Sequence, residues 1–109
     1  MDIETRLHPR ISANWYVFIK TLQGSVAIKT KDICVNGACI LYPAHLELER
    51  RFTMFLKPPG AKSIRVIAEA VWSGQSNRDN LGVSQMGIRF LAISPEDQQF
   101  IANLLEKKK

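Results

Sequence analysis

The alternation of apolar and polar residues between Ile64 and Trp72 is the feature that most restricts the fold. Apolar side chains recur at every second position, while the charged residues Arg65 and Glu69 fall between them. A period of two is typical of a β-strand with one face in the core and one face in solvent. The pattern therefore predicts a strand with Trp72 on its apolar face and Glu69 on the opposite face.

Similar extended segments follow one another along most of the chain, separated by glycine, proline and asparagine turn signals. They are Ile11–Lys20, Ser25–Lys31, Ala38–Tyr42, Leu46–Lys57 and Gly82–Leu91. Together with the strand described above they make about six strands, and the polar segment Ser73–Asn80 is predicted to form a turn. The pattern is typical of an all-β fold with a C-terminal helix, in which six antiparallel strands form a barrel.

The helix is predicted at the C-terminus, over residues 94–109. Ser94 is a good N-cap, Pro95 suits the first helical position, and the acidic residues after it favour the positive end of the helix dipole. An apolar stripe follows at helical spacing, formed by Phe100, Ile101, Leu104 and Leu105. We expect this helix to pack against the barrel and to end in a lysine tail, so that residues 1–109 form a single domain.

The net charge of the 109-residue chain is +5, and three of these charges belong to Lys107–Lys109. The remaining charge is small for an extended nucleic-acid footprint, so DNA or RNA is not an expected partner. No apolar run approaches the roughly 20 residues of a membrane-spanning helix, and the first residues lack the pattern of a signal peptide. We therefore expect a cytoplasmic protein without membrane insertion.

Two arginines stand immediately before the first strand. Pro9 favours an extended backbone at the residue before it, so Arg6 and Arg10 lie on an extended or turning segment and not on a helix face. Taken alone, the pair fits a ligand site and a solvated N-terminal segment equally well.

A second short motif runs from Asp32 to Gly37 and ends in the hairpin signal Asn36-Gly37. Its Cys34 and the nearby Cys39 lack the spacing of a metal site, and reduced thiols are expected for both. The sequence contains no arrangement of nucleophile and base and no paired-carboxylate motif. We therefore predict neither an enzyme nor a protein with a metal or other cofactor.

Taken in order, these motifs resemble the signature of PilZ domains. The family pattern is Arg-x-x-x-Arg followed by Asp/Asn-x-Ser-x-x-Gly, and it matches Arg6-Leu7-His8-Pro9-Arg10 and Asp32-Ile33-Cys34-Val35-Asn36-Gly37. The C-terminal half is similar as well, in Ala70-Val71-Trp72, Gly87-Ile88-Arg89-Phe90 and Ser94-Pro95-Glu96-Asp97. The resemblance extends from residue 6 to about residue 105.

The resemblance implies a six-stranded barrel that binds the bacterial second messenger cyclic di-GMP at its outer edge. By this match Arg6 and Arg10 contact phosphates and guanines, for which a guanidinium can fork or stack. Asp32 either accepts from a guanine N–H edge or holds an arginine. Gly37 allows close approach of the backbone and a positive φ. The N-terminal segment, residues 1–10, is expected to be flexible and to fold over the ligand.

Cys34 departs from the family pattern because it stands where serine is usual. A thiol is a weak hydrogen-bond donor and acceptor, so the change is expected to cost on the order of 1 kcal/mol of ligand binding. The messenger would pass its signal through this module to an unidentified effector protein, in motility, pilus or exopolysaccharide control. The alternative is a PilZ-like adaptor that binds protein and not cyclic di-GMP.

A third reading is a small oligonucleotide-binding barrel that stacks bases on Trp15, Tyr16 and Phe18. Lys20 is the only basic residue within that predicted strand. We therefore expect core packing for at least half of these aromatic residues.

Overall fold

Seven strands and one helix make up most of residues 10–22, 24–75 and 82–107, the part of the chain that the computed structural model describes. The strands are β1 (Ile11–Ser12), β2 (Tyr16–Thr21), β3 (Gly24–Cys34), β4 (Gly37–Pro43), β5 (Arg51–Lys57), β6 (Ile64–Gln75) and β7 (Val83–Ala92). The helix is α1 (Pro95–Lys107). These elements follow the predicted order of strands and then a single helix.

Six of the strands close into an antiparallel barrel. Around the ring they run in the order β3, β2, β5, β6, β7 and β4, and β4 pairs with β3 to complete the circle. The short strand β1 lies against the end of β3 that β2 leaves unpaired. The predicted six-stranded antiparallel barrel with a C-terminal helix is confirmed.

Alternate residues of each strand fill the interior, as the period of two predicts. The fully buried side chains include Val17 and Ile19 of β2, Ile40 of β4, and Met54 and Leu56 of β5. The helix adds Ile101 and Leu105, which belong to the same apolar cluster. One core therefore joins the sheet and the helix.

The predicted strand Ile11–Lys20 is divided into β1 and β2. Between them the buried hydroxyl of Thr30 accepts a hydrogen bond from the backbone N–H of Trp15 at 2.9 Å and donates to the carbonyl of Ala13. These bonds satisfy backbone groups that a continuous ladder would otherwise pair. The break shifts the register by one residue, which sets where the N-terminal segment meets β3.

The predicted strand Leu46–Lys57 is shorter than expected, because only Arg51–Lys57 is extended. β4 and β5 are not neighbours in the ring, so residues 44–50 must cross one end of the barrel. Leu48 packs against the core from this connection. Leu48 therefore anchors the connection between β4 and β5 to the core, although the sequence around it resembles that of a strand.

The sequence prediction for the end of β6 was wrong at Trp72. The register against β7 shifts between Ala70 and Trp72, so Trp72 leaves the core face and is 46% exposed on the outside. Glu69 does face outward, but it is buried rather than solvated. The strand continues through Gln75, and residues 76–80 of the predicted turn lie outside the described ranges.

The helix begins as predicted. The backbone N–H of Asp97 donates to Ser94 Oγ at 3.1 Å, which is the N-cap bond. Lys107 lies in the last helical turn, while Lys108 and Lys109 fall outside the described residues. No helix within the described ranges is long and apolar enough to cross a membrane.

Candidate functional site

The β3–β4 hairpin carries most of the residues that the sequence singled out. Its two turn residues are Val35 and Asn36, and Cys34 and Gly37 lie opposite each other where the strands meet. The carbonyl of Asn36 accepts a hydrogen bond from the backbone of Phe90 at 2.8 Å. The hairpin is therefore fixed against β7 and does not project freely.

The helix supports the same hairpin from a second direction. Gln98 of α1 lies with its amide nitrogen 3.4 Å from the carbonyl oxygen of Val35 and 3.3 Å from Asn36 Oδ1. Because both contacts reach the turn itself, α1 and β7 together hold the site residues in a defined position.

Arg10 and Asp32 form an ion pair beside this hairpin. The short strand β1 places Ser12 opposite Asp32, which brings the residue before the strand within reach of the carboxylate. Arg10 Nη1 lies 2.9 Å from Asp32 Oδ1, and the two side chains are 37% and 25% exposed. Partial burial lowers the pKa of Arg10, but the hydrogen bond and the charge of Asp32 outweigh it, so that the pKa is raised. Asp32 therefore holds an arginine, which is one of its two expected roles.

Gly37 is required for a different reason from the one expected. A positive φ was expected, but among the described residues only Gly24 and Gly60 have one. A Cβ on Gly37 would lie 2.2 Å from the carbonyl oxygen of Ile88. The missing side chain therefore lets β4 approach the backbone of β7.

Cys34 and Cys39 are both buried free thiols near the ion pair. Cys39 lies directly opposite Asp32, with its Sγ 3.7 Å from Gln85 Oε1. Burial and then the charge of Asp32 raise the pKa of the Cys39 thiol, which stays protonated at neutral pH. Neither cysteine lies on the core side of the sheet with the apolar cluster.

A row of residues crosses the outer surface from this ion pair to an exposed tryptophan. Asp32 lies opposite Cys39, which lies opposite Gly87, which lies opposite Trp72. A Cβ on Gly87 would lie 2.1 Å from Trp72 Nε1, so the indole packs directly on the glycine. Strict alternation along β6 predicts that Trp72 lies on the apolar face, but the register shift places it on the surface.

A second row runs parallel to the first. Its members, in order across β3, β4, β7, β6 and β5, are Cys34, Gly37, Arg89, Glu69 and Arg51. Arg89 and Glu69 form an ion pair that the sequence analysis missed, since they are far apart along the chain. The alternation of β7 had placed Arg89 on the outer face, but it could not supply the partner.

Four of the five predicted site residues therefore come together on one outer face: Arg10, Asp32, Cys34 and Gly37. Arg6 lies outside the described residues. Trp72 and Arg89 extend the same face across β7 and β6.

The aromatic residues of β2 lie elsewhere on the barrel. Trp15 is buried, whereas Tyr16 and Phe18 are 52% and 40% exposed, so the expectation of core packing for at least half of them was wrong. Lys29 of β3 stands over the Tyr16 ring at 5.0 Å, and Lys57 of β5 lies opposite Tyr16. Neighbouring strands thus place basic residues beside the Tyr16 ring.

Comparison with known proteins adds a family match and a shared fold. The family model described as PilZ domain matches residues 4–107. No curated protein sequence matches the chain. Among solved structures, the Bacillus subtilis inhibitor of motility MotI/DgrA superposes with a TM-score of 0.80 at 15% identity, over 93% of this chain and 49% of that one.

Two further similar structures are complexes with cyclic di-GMP. The PilZ domain of YcgR from Escherichia coli with cyclic di-GMP gives a TM-score of 0.71 at 17% identity, over 92% of this chain and 88% of that one. The Borreliella burgdorferi PlzA protein in complex with cyclic di-GMP gives 0.68 at 12% identity, over 91% and 50%. The chain thus spans about half the length of the Bacillus and Borreliella proteins. By the family match over nearly its whole length, the chain belongs to the PilZ domain family.

Proposed function

We propose that this chain is a receptor module for cyclic di-GMP and not an enzyme. The observation that carries the proposal is the Arg10–Asp32 ion pair on the outer face of β3, beside the hairpin that contains Gly37. Membership of the PilZ family and the cyclic di-GMP complexes of two structural neighbours support it. In this account the messenger lies across the outer face of β3, β4 and β7.

Arg10 supplies the first contact with the ligand. A guanidinium carries five N–H donors, and Asp32 engages Nη1, so the remaining donors can fork onto a phosphate or the O6/N7 edge of guanine. Asp32 fixes the orientation of that guanidinium before the ligand arrives. Its carboxylate has further lone pairs that can accept from the N1–H and N2–H groups of a guanine.

Gly37 and Trp72 shape the surface that receives the rings. The missing Cβ at Gly37 lets β4 pack closely on β7, which fixes the hairpin beside the proposed ligand. Trp72, half-exposed and packed on Gly87, offers an indole face on which a guanine can stack. Polar recognition at Arg10 and apolar stacking at Trp72 thus lie at opposite ends of one row.

Arg6 is proposed as the second arginine of the pair, carried by residues 1–10. Binding would order that segment over the ligand and change the surface shown to an effector protein. The partner is unidentified, and control of motility, pili or exopolysaccharide is the proposed output.

Isothermal titration calorimetry with cyclic di-GMP tests the proposal. We expect saturable binding by the wild type and no detectable binding by Arg10→Ala. Arg65→Ala is the matched control, because it removes the same charge from an exposed residue of β6 that lies opposite Phe55 of β5. Folded wild-type protein that gives no heat at high ligand concentration would overturn the proposal, and so would equal loss in Arg10→Ala and Arg65→Ala.

The second candidate function is a PilZ-like adaptor that binds protein alone. Cys34 favours it, because a thiol replaces the hydroxyl that the family pattern places in the site. A pull-down with immobilised protein separates the two functions. A partner set that changes when cyclic di-GMP is added supports the receptor, and a set that is indifferent to it supports the adaptor.

A further inference from the structure

Arg89 stands next to the proposed ligand site in the sheet. It lies directly opposite Gly37 across the β4–β7 pair, so their Cα atoms are about 5 Å apart. Gly37 has no side chain to separate the two positions. A ligand held over Gly37 would therefore meet Arg89 on the neighbouring strand.

Glu69 holds Arg89 in a defined orientation. Arg89 Nε and Nη2 lie 2.8 Å and 2.7 Å from the same carboxylate oxygen, Glu69 Oε1. The Glu69 side chain is 5% exposed, whereas that of Arg89 is 62% exposed. Since two of the five N–H groups of Arg89 face Glu69, the others remain accessible at the surface.

Two further arginines share the other oxygen of this carboxylate. Arg51 Nε lies 3.1 Å and Arg50 Nε 3.6 Å from Glu69 Oε2. The hydrogen bonds from Arg89 and then Arg51 lower the pKa of Glu69, so its carboxylate stays ionised at neutral pH. Three guanidinium groups against one carboxylate leave a surplus of two positive charges in this cluster.

This surplus matters because the motif residues themselves are balanced. Arg10 and Asp32 neutralise each other in their ion pair. Much of the positive charge on this face, among the described residues, therefore comes from the cluster around Glu69. Cyclic di-GMP carries two phosphates, and Arg89 is the member of the cluster that borders Gly37.

We propose that Arg89 is a further ligand-contacting residue that donates to a phosphate of cyclic di-GMP, and that Glu69 is its positioning residue. The proposal rests on the proposed function and extends the site by one strand beyond the family motifs. Arg51 is separated from Gly37 by β7 and β6, and Arg50 precedes β5, so neither takes this role.

Calorimetry on Arg89→Ala and Arg50→Ala tests the contact. Both variants remove one positive charge from the same cluster, but only Arg89 borders Gly37. We expect cyclic di-GMP binding to weaken about tenfold or more in Arg89→Ala, the usual range for a lost charged hydrogen bond, and to change less than twofold in Arg50→Ala. Equal effects of the two variants would mean that Arg89 acts on the ligand only through its charge and not by direct contact, which would overturn the proposal.

If Glu69 positions Arg89, the substitution Glu69→Gln should change the affinity for cyclic di-GMP in the opposite direction from the one that charge alone predicts. Glu69→Gln adds net positive charge to the cluster, which by charge alone would tighten binding of an anionic ligand. We expect weaker binding instead, because Arg89 loses its orienting carboxylate. Tighter or unchanged binding would contradict the positioning role.

An NMR signal provides a measurement on the wild-type protein that does not depend on a variant's stability. The Arg89 Nε–H resonance, assigned by its loss in Arg89→Lys, is expected to shift saturably with cyclic di-GMP. No shift during saturable binding would overturn the contact. If the wild type itself fails to bind, the proposed function fails, whereas binding that needs Arg10 and ignores Arg89 removes only this inference.

Discussion

Gly37 is constrained by backbone on one side and is proposed to face ligand on the other. Gly37 lies opposite Cys34 on β3 and opposite Arg89 on β7. At this point β4 is so close to β7 that a Cβ would overlap the carbonyl of Ile88. That overlap is with backbone, which cannot rotate away as a side chain would. The glycine is thus a packing requirement of the barrel as well as a feature of the site.

Gly37→Ala is therefore expected to destabilise the protein by about 1–3 kcal/mol, the usual cost of overpacking. Gly74→Ala is the matched control, because a Cβ there would meet nothing within 4 Å and its φ is not positive. Urea unfolding followed by circular dichroism should show the loss in Gly37→Ala and a neutral or slightly stabilising effect in Gly74→Ala. Equal stability of the two variants would mean that the close β4–β7 approach carries no energetic weight.

Cys34 is the one motif position at which the chain departs from the family pattern. It is buried opposite Gly37, within the proposed site. If the missing hydroxyl would make one neutral hydrogen bond, Cys34→Ser should tighten cyclic di-GMP binding by less than tenfold. Cys34→Ala should bind like the wild type, because the thiol contributes little. Weaker binding by the serine variant, measured by calorimetry, would show that the thiol itself is used.

At the scale of elements, the end of β6 determines what the outer face can do. The register shift between Ala70 and Trp72 turns the indole out of the core and onto Gly87 of β7. Strict alternation predicts the opposite side, and no residue type in this segment signals the extra residue. The position of Trp72 depends on how two strands pair, which a single-strand pattern does not contain.

Trp72→Ala is expected to weaken cyclic di-GMP binding by roughly five- to a hundred-fold, since base stacking on an aromatic residue contributes about 1–3 kcal/mol. Val71→Ala is the control, because Val71 is the neighbouring exposed residue and is 61% exposed. Calorimetry should show less than a twofold change in that variant. Wild-type affinity in Trp72→Ala would remove the stacking role.

The ion-pair cluster around Glu69 joins three elements, β5, β6 and β7. The hydrogen bonds from Arg89 and Arg51 lower the pKa of Glu69 below the ordinary value of a glutamate. A lowered pKa means that the stabilisation is complete above that ordinary value and is lost as the pH falls through the lower pKa of the folded protein. The cluster therefore stabilises the folded protein at neutral pH.

Urea unfolding of Glu69→Gln and wild type as a function of pH measures this contribution. We expect the wild type to be the more stable of the two from neutral pH to about pH 5, and the difference to shrink below about pH 4. Glu49→Gln, in the exposed connection before β5, should show no such trend. A wild-type advantage that persists unchanged into strong acid would contradict the role of the ionised carboxylate.

At the scale of the whole molecule, local patterns predicted the barrel well because its strands alternate and its turns carry glycine, proline or asparagine. The interior positions of β2, β5 and β7 follow from period two, and the helix follows from its cap at Ser94. Residues 46–50 of the predicted strand belong instead to the connection before β5, in which Leu48 is apolar because it packs against the core.

The site was predictable only in part. Arg10, Asp32 and Gly37 were found through spacing that resembles a known family, and the fold brings them together. Trp72 and Arg89 depend on strand register, and Glu69 is buried beside arginines from β5, β7 and the connection before β5. Long-range pairing of this kind leaves no local trace in the sequence.

The central proposal is that cyclic di-GMP binds the outer face of β3, β4 and β7. A ¹H–¹⁵N NMR titration of the whole chain with cyclic di-GMP tests binding and location in a single experiment. We expect saturable shifts at the amides of Asp32, Gly37 and Gly87 and at the indole N–H of Trp72, with little change at Phe18 on β2. No saturable shift, or shifts centred on Phe18 and its neighbours, would contradict it.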